Sequence, residues 1–229
     1  MRTQLLLVAG AAGALLGCPN PNTYGTPRTV EPGKVTHTVA AEAWGATGET
    51  PGGASVGGTT PAPPTYQARI GVADSVDIGL RLANFSSLGA DVKLNPLRGN
   101  FDLAVAPGVQ WFKITVGTAS ASVYYLHLPL LLGINLNEMF SIVATPGLLY
   151  SVVSGSTGTA SGKDAAATTK GVFARFGLGL DIRLANNRFA LHPEITAMRN
   201  LQGDEGKVTI YMMGLGFNFG SLPKFDDVK

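Results

Sequence analysis

A single cysteine, Cys18, stands in the whole chain, so no internal disulfide can brace it. Charge is sparse as well: Asp, Glu, Lys and Arg make up 14% of the 229 residues, too little for the surface of an ordinary soluble enzyme. A hydrophobic content of 45% is, in turn, too high for a disordered chain. The formal net charge is +2, and the basic residues form no run that could follow a phosphate backbone, so nucleic acid is not an expected partner. Histidine is scarce: His37, His127 and His192 lie far apart and show no metal-ligand spacing, so neither a metal nor another cofactor is expected. Between Lys34 and Gly220 no stretch repeats apolar residues at i, i+3 and i+4, which removes amphipathic helices from consideration.

What recurs instead is period-two alternation. From Gly171 to Leu184, Val172, Ala174, Phe176, Leu178, Leu180, Ile182 and Leu184 share one face, while Phe173, Arg175, Gly177, Gly179, Asp181 and Arg183 share the other. The same pattern runs from Phe101 to Phe112, from Tyr124 to Ile134 and from Tyr211 to Phe219. Strands are expected near 34 to 47, 64 to 73, 76 to 84, 87 to 96, 101 to 113, 121 to 134, 139 to 152, 170 to 184, 188 to 199 and 206 to 219. Tight turns at Asp74-Ser75, Leu97 to Asn100, Asn135 to Glu138 and Asn186-Asn187 interleave with other links, the longest being Gly48 to Pro63 and Val153 to Thr169. Pro107, Pro129, Pro146 and Pro193 fall inside these strands, where each removes a ladder donor and so calls for a bulge.

The placement of aromatic and charged residues decides which face is outside. Phe101, Phe140, Phe189 and Phe219 sit at strand ends beside the short turns, whereas Tyr66, Trp111, Tyr124, Tyr150 and Tyr211 sit beside the other loops. Two girdles on one face, ten residues apart, enclose an apolar band roughly 25 Å tall once strand rise and tilt are combined, the height a membrane requires. The opposite face carries Glu42, Arg69, Asp77, Arg81, Asp91, Lys93, Asp102, Arg175, Asp181, Arg183 and Glu194. Facing lipid, these charges would be costly; facing a lumen, the acids and bases can pair. The expected fold is all-β: a closed antiparallel up-and-down transmembrane β-barrel of about ten strands, eight being the alternative count. Its lumen is expected to be plugged, with Arg81, Arg175 and Arg183 held by Asp77, Asp91 and Asp181.

The chain opens with Met1-Arg2 and an apolar run from Leu5 to Leu16, the charged and hydrophobic regions of a secretory signal expected over residues 1–17. Leu15-Leu16-Gly17-Cys18 resembles the lipobox of bacterial lipoproteins, which implies acylation of Cys18. Residues 18–33, rich in Pro, Asn, Thr and Gly, are expected to be a lipidated flexible tether ahead of the barrel at 34–220. Residues 221–229 are expected to be a periplasmic tail. An even strand number puts both termini on the short-turn, periplasmic side and the lipid in the inner leaflet.

Over residues 34–220 the body resembles the small outer-membrane β-barrel proteins of Gram-negative bacteria. The most specific piece is Gly214-Leu215-Gly216-Phe217-Asn218-Phe219, similar to the C-terminal assembly signal of that class, with Gly214, Phe217 and Phe219 at its marked positions. Met212 departs from the usual polar residue, and the chain continues past Phe219 to Lys229. The resemblance implies residence in the outer membrane, contact with its lipids, and recognition by the barrel-assembly machinery during biogenesis. It transfers no activity, since one barrel architecture hosts enzymes, pores and scaffolds.

No catalytic residue is expected. His127 and His192 project inward, where completing an interior hydrogen-bond network is the simplest role, although a couple with Glu194 or Asp102 is imaginable. The glycine-rich stretches Thr47 to Thr60 and Ser154 to Thr159 do not lead from a strand into a helix and are not phosphate cradles. The favoured expectation is therefore a non-enzymatic component of an envelope assembly for motility, secretion or surface-polymer export, in contact with other envelope proteins. A narrow channel for ions or small solutes is the alternative, and a lipid-modifying enzyme or protease ranks last.

Overall fold

The computed structural model describes residues 20–49, 55–83, 86–116, 119–157, 165–184, 187–202 and 208–228. The signal peptide expected at 1–17 and the lipidation site Cys18 lie outside the described residues. The strands are β1 (Val35–Glu49), β2 (Ser55–Ala73), β3 (Val76–Ala83), β4 (Ser87–Leu97), β5 (Phe101–Val105), β6 (Gly108–Val116), β7 (Ala119–Asn135), β8 (Phe140–Thr157), β9 (Ala165–Leu184), β10 (Phe189–Asn200) and β11 (Thr209–Gly220). Apart from β5 and β6, each pairs antiparallel with its sequence neighbours, and β11 returns to β1, where Phe217 faces Val39. β5 and β6 are two halves of one wall strand, both lying between β4 and β7, so the ring is a closed barrel of ten strands.

Proline explains the split. Pro107 cannot donate, the ladder breaks at Ala106-Pro107, and the freed groups find other partners: Ala106 N donates to Pro129 O at 3.1 Å and Pro107 O accepts from Val92 N at 3.0 Å. The other wall prolines fall at similar interruptions. Pairing of β7 with β8 skips from Pro129–Gly147 to Leu132–Ala144, beside Pro146, and pairing of β10 with β9 skips from Leu191–Ile182 to Glu194–Gly179, beside Pro193. A register shift between Ala40 and Glu42 accommodates Pro63-Pro64 on β2.

In two of the links expected to be loops, the described residues are strand. Pairing of β1 with β2 continues to Glu49–Ser55, and that of β8 with β9 to Thr157–Ala165. Beyond the apolar band both faces of a hairpin meet water, so the alternation that marks a strand disappears although the ladder persists.

The outer face is apolar: Leu80, Leu88, Val109, Leu126, Leu128, Leu148, Phe176, Leu178 and Leu215 are all exposed on it. Burial is confined to the lumen, which is layered. Toward the long hairpins, Trp44, Phe112, Val123, Tyr125, Leu149, Met198 and Met212 form an apolar tier. Toward the short turns the lumen is polar, and here the structure departs from expectation. The segment read as a flexible tether is packed inside the barrel: Asn20, Asn22, Tyr24, Thr26, Arg28, Thr29 and Val30 are buried. Its lack of periodicity reflects an irregular strap hydrogen-bonded to the lumen wall, not a chain in water; Asn22 Oδ1 and Thr26 Oγ1 are buried there without a partner among the described residues.

Candidate functional site

The site is the filled lumen. Alternation along the wall strands turns Glu42, Asp77, Arg81, Asp91, Lys93, Asp102, Arg175, Asp181, Arg183 and Glu194 inward, and each is buried there; Arg69 is nearly so. Glu42, Asp77, Arg81, Lys93, Asp102 and Glu194 each bond the strap directly.

The strap is fastened from end to end. Near the short turns, Arg28 donates from Nε to Asp102 at 2.7 Å, from Nη2 to Gly99 O at 3.0 Å and from Nη1 to Lys224 O at 2.6 Å. Lys93 Nζ donates to Thr26 O at 3.1 Å, and Val30 N donates to Asp77 at 3.1 Å. In mid-lumen the Glu194 carboxylate accepts from Thr23 N at 2.9 Å and Tyr24 N at 2.7 Å, a cradle of two successive backbone amides. At the upper end, Glu42 accepts from Asn20 Nδ2 (2.6 Å), Tyr24 Oη (2.6 Å) and Thr65 Oγ1 (2.7 Å). Gln110 Oε1 accepts from Asn20 N at 3.1 Å, while Asn20 O accepts from Arg81 Nη1 at 2.9 Å. Spaces left beside the strap in the polar tier are about 40 and 20 Å³, room for a few water molecules.

The wall charges pair differently from expectation. Asp77 and Asp91 are bridged by one guanidinium, that of Arg69, at 2.5 and 2.6 Å, and Lys93 joins Asp77 at 3.3 Å. Arg183 does pair with Asp181, at 2.6 Å. Arg81 is instead spent on the strap and on Gln67, and Arg175 donates to Thr145 Oγ1 at 3.0 Å, with no ion pair to either among the described residues. The reason is geometric: the Asp77–Gly79–Arg81 face of β3 places Arg81 beyond Asp91, whereas Arg69 on β2 lies opposite Gly79, whose missing side chain leaves the guanidinium room between both acids. His192 lies between Asp181 (Nδ1, 3.2 Å) and Glu194 (Nε2, 3.6 Å), sealed from solvent. All three side chains of that couple are buried in the wall.

The C-terminal tail closes the short-turn end. Leu222 and Phe225 are buried, and the Phe225 ring carries Arg183 at 3.5 Å and Arg28 at 4.3 Å from its centroid. Arg28, Tyr24, Asn20 and Phe225 escaped the sequence reading. The one available signal was Arg28, which with Glu31 is one of two charges in residues 18–33.

The aromatic residues lie on the outer face. Phe101, Phe140 and Phe189 are exposed at the short-turn end, where Phe189 stacks on Phe217 at 5.6 Å. Trp111 and Tyr124 are exposed at the other end, and Tyr150 and Tyr211 are half-buried there. Tyr66 differs. Its hydroxyl meets His37 Nδ1 at 2.7 Å, and His37 stacks at 5.3 Å on Phe219, so the ring leans diagonally across the β1–β2 pair toward the short-turn girdle. Gly214 and Phe217 stand on β11 against Glu42 and Val39 of β1.

No family model matches the chain. No curated protein matches it in sequence. Solved structures of similar shape include the outer membrane protease OmpT from Escherichia coli, with a TM-score of 0.50 at 8% identity over 84% of this chain and 98% of that one. The translocator domain of the autotransporter NalP from Neisseria meningitidis is similar over 95% of this chain and 97% of its own, at 13% identity and a TM-score of 0.46. Ail, the attachment invasion locus protein of Yersinia pestis, is similar over 82% and 99%, at 12% identity and a TM-score of 0.42. The fold is an outer-membrane β-barrel. At such identities the likeness extends to the fold alone and carries over no activity.

Proposed function

We propose that this chain is a Gram-negative outer-membrane β-barrel lipoprotein, acylated at Cys18, that serves as a non-enzymatic structural or accessory component of an envelope assembly. The single observation that carries this reading is the strap. A barrel that fills its own lumen with a dedicated, hydrogen-bonded segment is built to stay shut and rigid. The apolar outer belt supports residence in the outer membrane, with lipids as its surroundings. Gly214, Phe217 and Phe219, on the strand that closes the ring, support recognition by the barrel-assembly machinery. The short turns and the docked tail are the surface offered to other envelope proteins. The protease among the structures of like fold lends no activity, because at 8% identity the likeness is one of fold alone.

The alternative, a narrow channel, requires the strap to leave, and nothing covalent within residues 20–30 prevents that. Planar-bilayer recording separates the two: the intact protein is expected to be silent, and deletion of residues 20–30 to open steady conductance. Steady conductance from the intact protein would replace the scaffold reading with the channel. Affinity capture from solubilised envelopes, with a variant lacking residues 221–229 as the control, then tests the assembly role.

A further inference from the structure

The direction in which the strap runs fixes the side of the membrane from which it enters. Arg28 bonds Asp102 and Asn20 bonds Gln110, and these two anchors lie on the same wall strand, β5 continued by β6. They are eight residues apart, which at the usual rise and tilt is roughly 20 Å along the barrel axis. Asp102 adjoins Phe101 of the short-turn girdle, and Gln110 adjoins Trp111 of the opposite girdle. The next inward positions beyond Glu42 and Gln110 are Trp44 and Phe112, members of the apolar tier. Asn20 therefore lies high in the lumen, against that tier, and the chain descends from it to the short turns before entering β1.

We propose that the strap is threaded from the loop side, so that the acylated N-terminus lies on the outer-leaflet side of the barrel and not in the inner leaflet. The proposal rests on the reading of Cys18 as the lipidated first residue of the mature protein. Two residues reach at most about 7 Å, whereas an inner-leaflet anchor would have to lie roughly 20 Å from Asn20 along the axis, beyond the strap's own lower end. With the strap seated, an inner-leaflet lipid is out of reach. The surroundings agree. What borders Asn20 on the loop side is Trp44, Phe112, Tyr125 and Met212, an apolar lining that suits acyl chains and an amide-capped N-terminus and disfavours a free ammonium. An even strand count places the start of β1 at the short-turn end, but the lumen strap lets the chain's beginning lie at the other.

The test is a disulfide reporter in the full-length protein. Asn20→Cys and Thr65→Cys replace two side chains that touch at 2.8 Å, so the pair can join only when the strap is seated. Outer membranes are oxidised mildly, the N-terminal peptide is analysed by mass spectrometry for acyl chains, and the cross-link is scored on the acylated molecules. The control carries the same pair behind an ordinary secretory leader with Cys18→Ser. Cross-linked acylated protein is the expected result and places the lipid on the loop side. Acylated protein that stays open while the control cross-links would overturn the proposal, because the lipid would then have drawn the strap down to the inner leaflet. Mature protein without acyl chains would remove the lipoprotein reading on which the proposal stands, and is distinguished from the other failure by mass alone.

Discussion

Tyr24 occupies the space that Gly214 leaves open: a Cβ placed on that glycine would fall 2.1 Å from the tyrosine hydroxyl. Gly216 makes the same allowance, its Cβ falling 2.9 Å from that of Tyr24. The glycines of the closing strand thus have a local reason beyond any assembly signal, since they form the groove that receives the strap. Tyr24 meets them in a left-handed backbone conformation, φ 49°, which an unsupported tyrosine would rarely hold.

Gly214→Val is accordingly expected to expel Tyr24 and destabilise the folded barrel by about 1–3 kcal/mol, the usual range for overpacking. In the Tyr24→Ala background the same change should cost less, because the ring clash is gone and only the approach to Ala41 O at 2.9 Å remains. Urea titration of the barrel in lipid vesicles measures the double-mutant cycle. Additive effects would show that Tyr24 does not occupy the Gly214 groove.

The wall offers a contrast between its two faces. Leu178, outward and 48% exposed, faces lipid near mid-band, so Leu178→Arg should cost about 2–4 kcal/mol and impair assembly. Its inward neighbour Gly177 is no safer: a Cβ there would lie 2.2 Å from Thr145 Oγ1 and 2.6 Å from Thr196 Oγ1. Normal assembly of Leu178→Arg, read by heat-modifiable mobility, would mean that the apolar face is not in lipid.

Among the lumen cations Arg69 and Arg175 should behave oppositely. Arg69→Ala leaves both Asp77 and Asp91 short of their shared partner, and removing one side of a buried pair costs about 3–5 kcal/mol. Arg175→Met gives up one hydrogen bond and relieves a buried charge that has no ion-pair partner among the described residues, so it should be close to neutral. Equal losses in urea titration would contradict this division.

These contrasts mark what the sequence could and could not disclose. A wall strand buries one face and gives the other to lipid, so Val172 to Leu184 alternate visibly and the barrel can be read from them. The strap has no such signature. Asn20, Asn22 and Thr26 look like linker residues because a polar lumen selects the same side chains as water does. The exchange of Arg81 for Arg69 as the partner of Asp77 and Asp91 was equally hidden, since it depends on barrel stagger and on the space above Gly79, neither of which follows from inward-facing lists. Proline positions marked the ladder interruptions, but the split at Ala106-Pro107 needed both neighbouring strands to be in place.

The tail carries the last expectation, a dependence on pH. The Asp227 carboxylate accepts from Arg28, and Lys224 O accepts from the same guanidinium, which together with Phe225 dock the tail on the strap. Burial by itself would raise the Asp227 carboxyl, but the Arg28 hydrogen bond and charge outweigh it and hold the group below its ordinary range. A carboxyl depressed in the native state contributes stability that is fully present above its unfolded pKa and is lost as pH falls through the lower, native one. The tail should therefore stay docked at neutral pH and through mild acid, and loosen only below the ordinary carboxylate range. Because Asp227 is half exposed, the effect should be confined to the tail and leave the barrel folded. Hydrogen exchange at Val228, whose N–H donates to Phe225 O at 3.1 Å, reads it directly once corrected for the intrinsic rate. Asp227→Asn should show at neutral pH the weakened protection that the unmodified protein reaches only in strong acid. Unchanged protection in both comparisons would mean that Phe225 alone holds the tail.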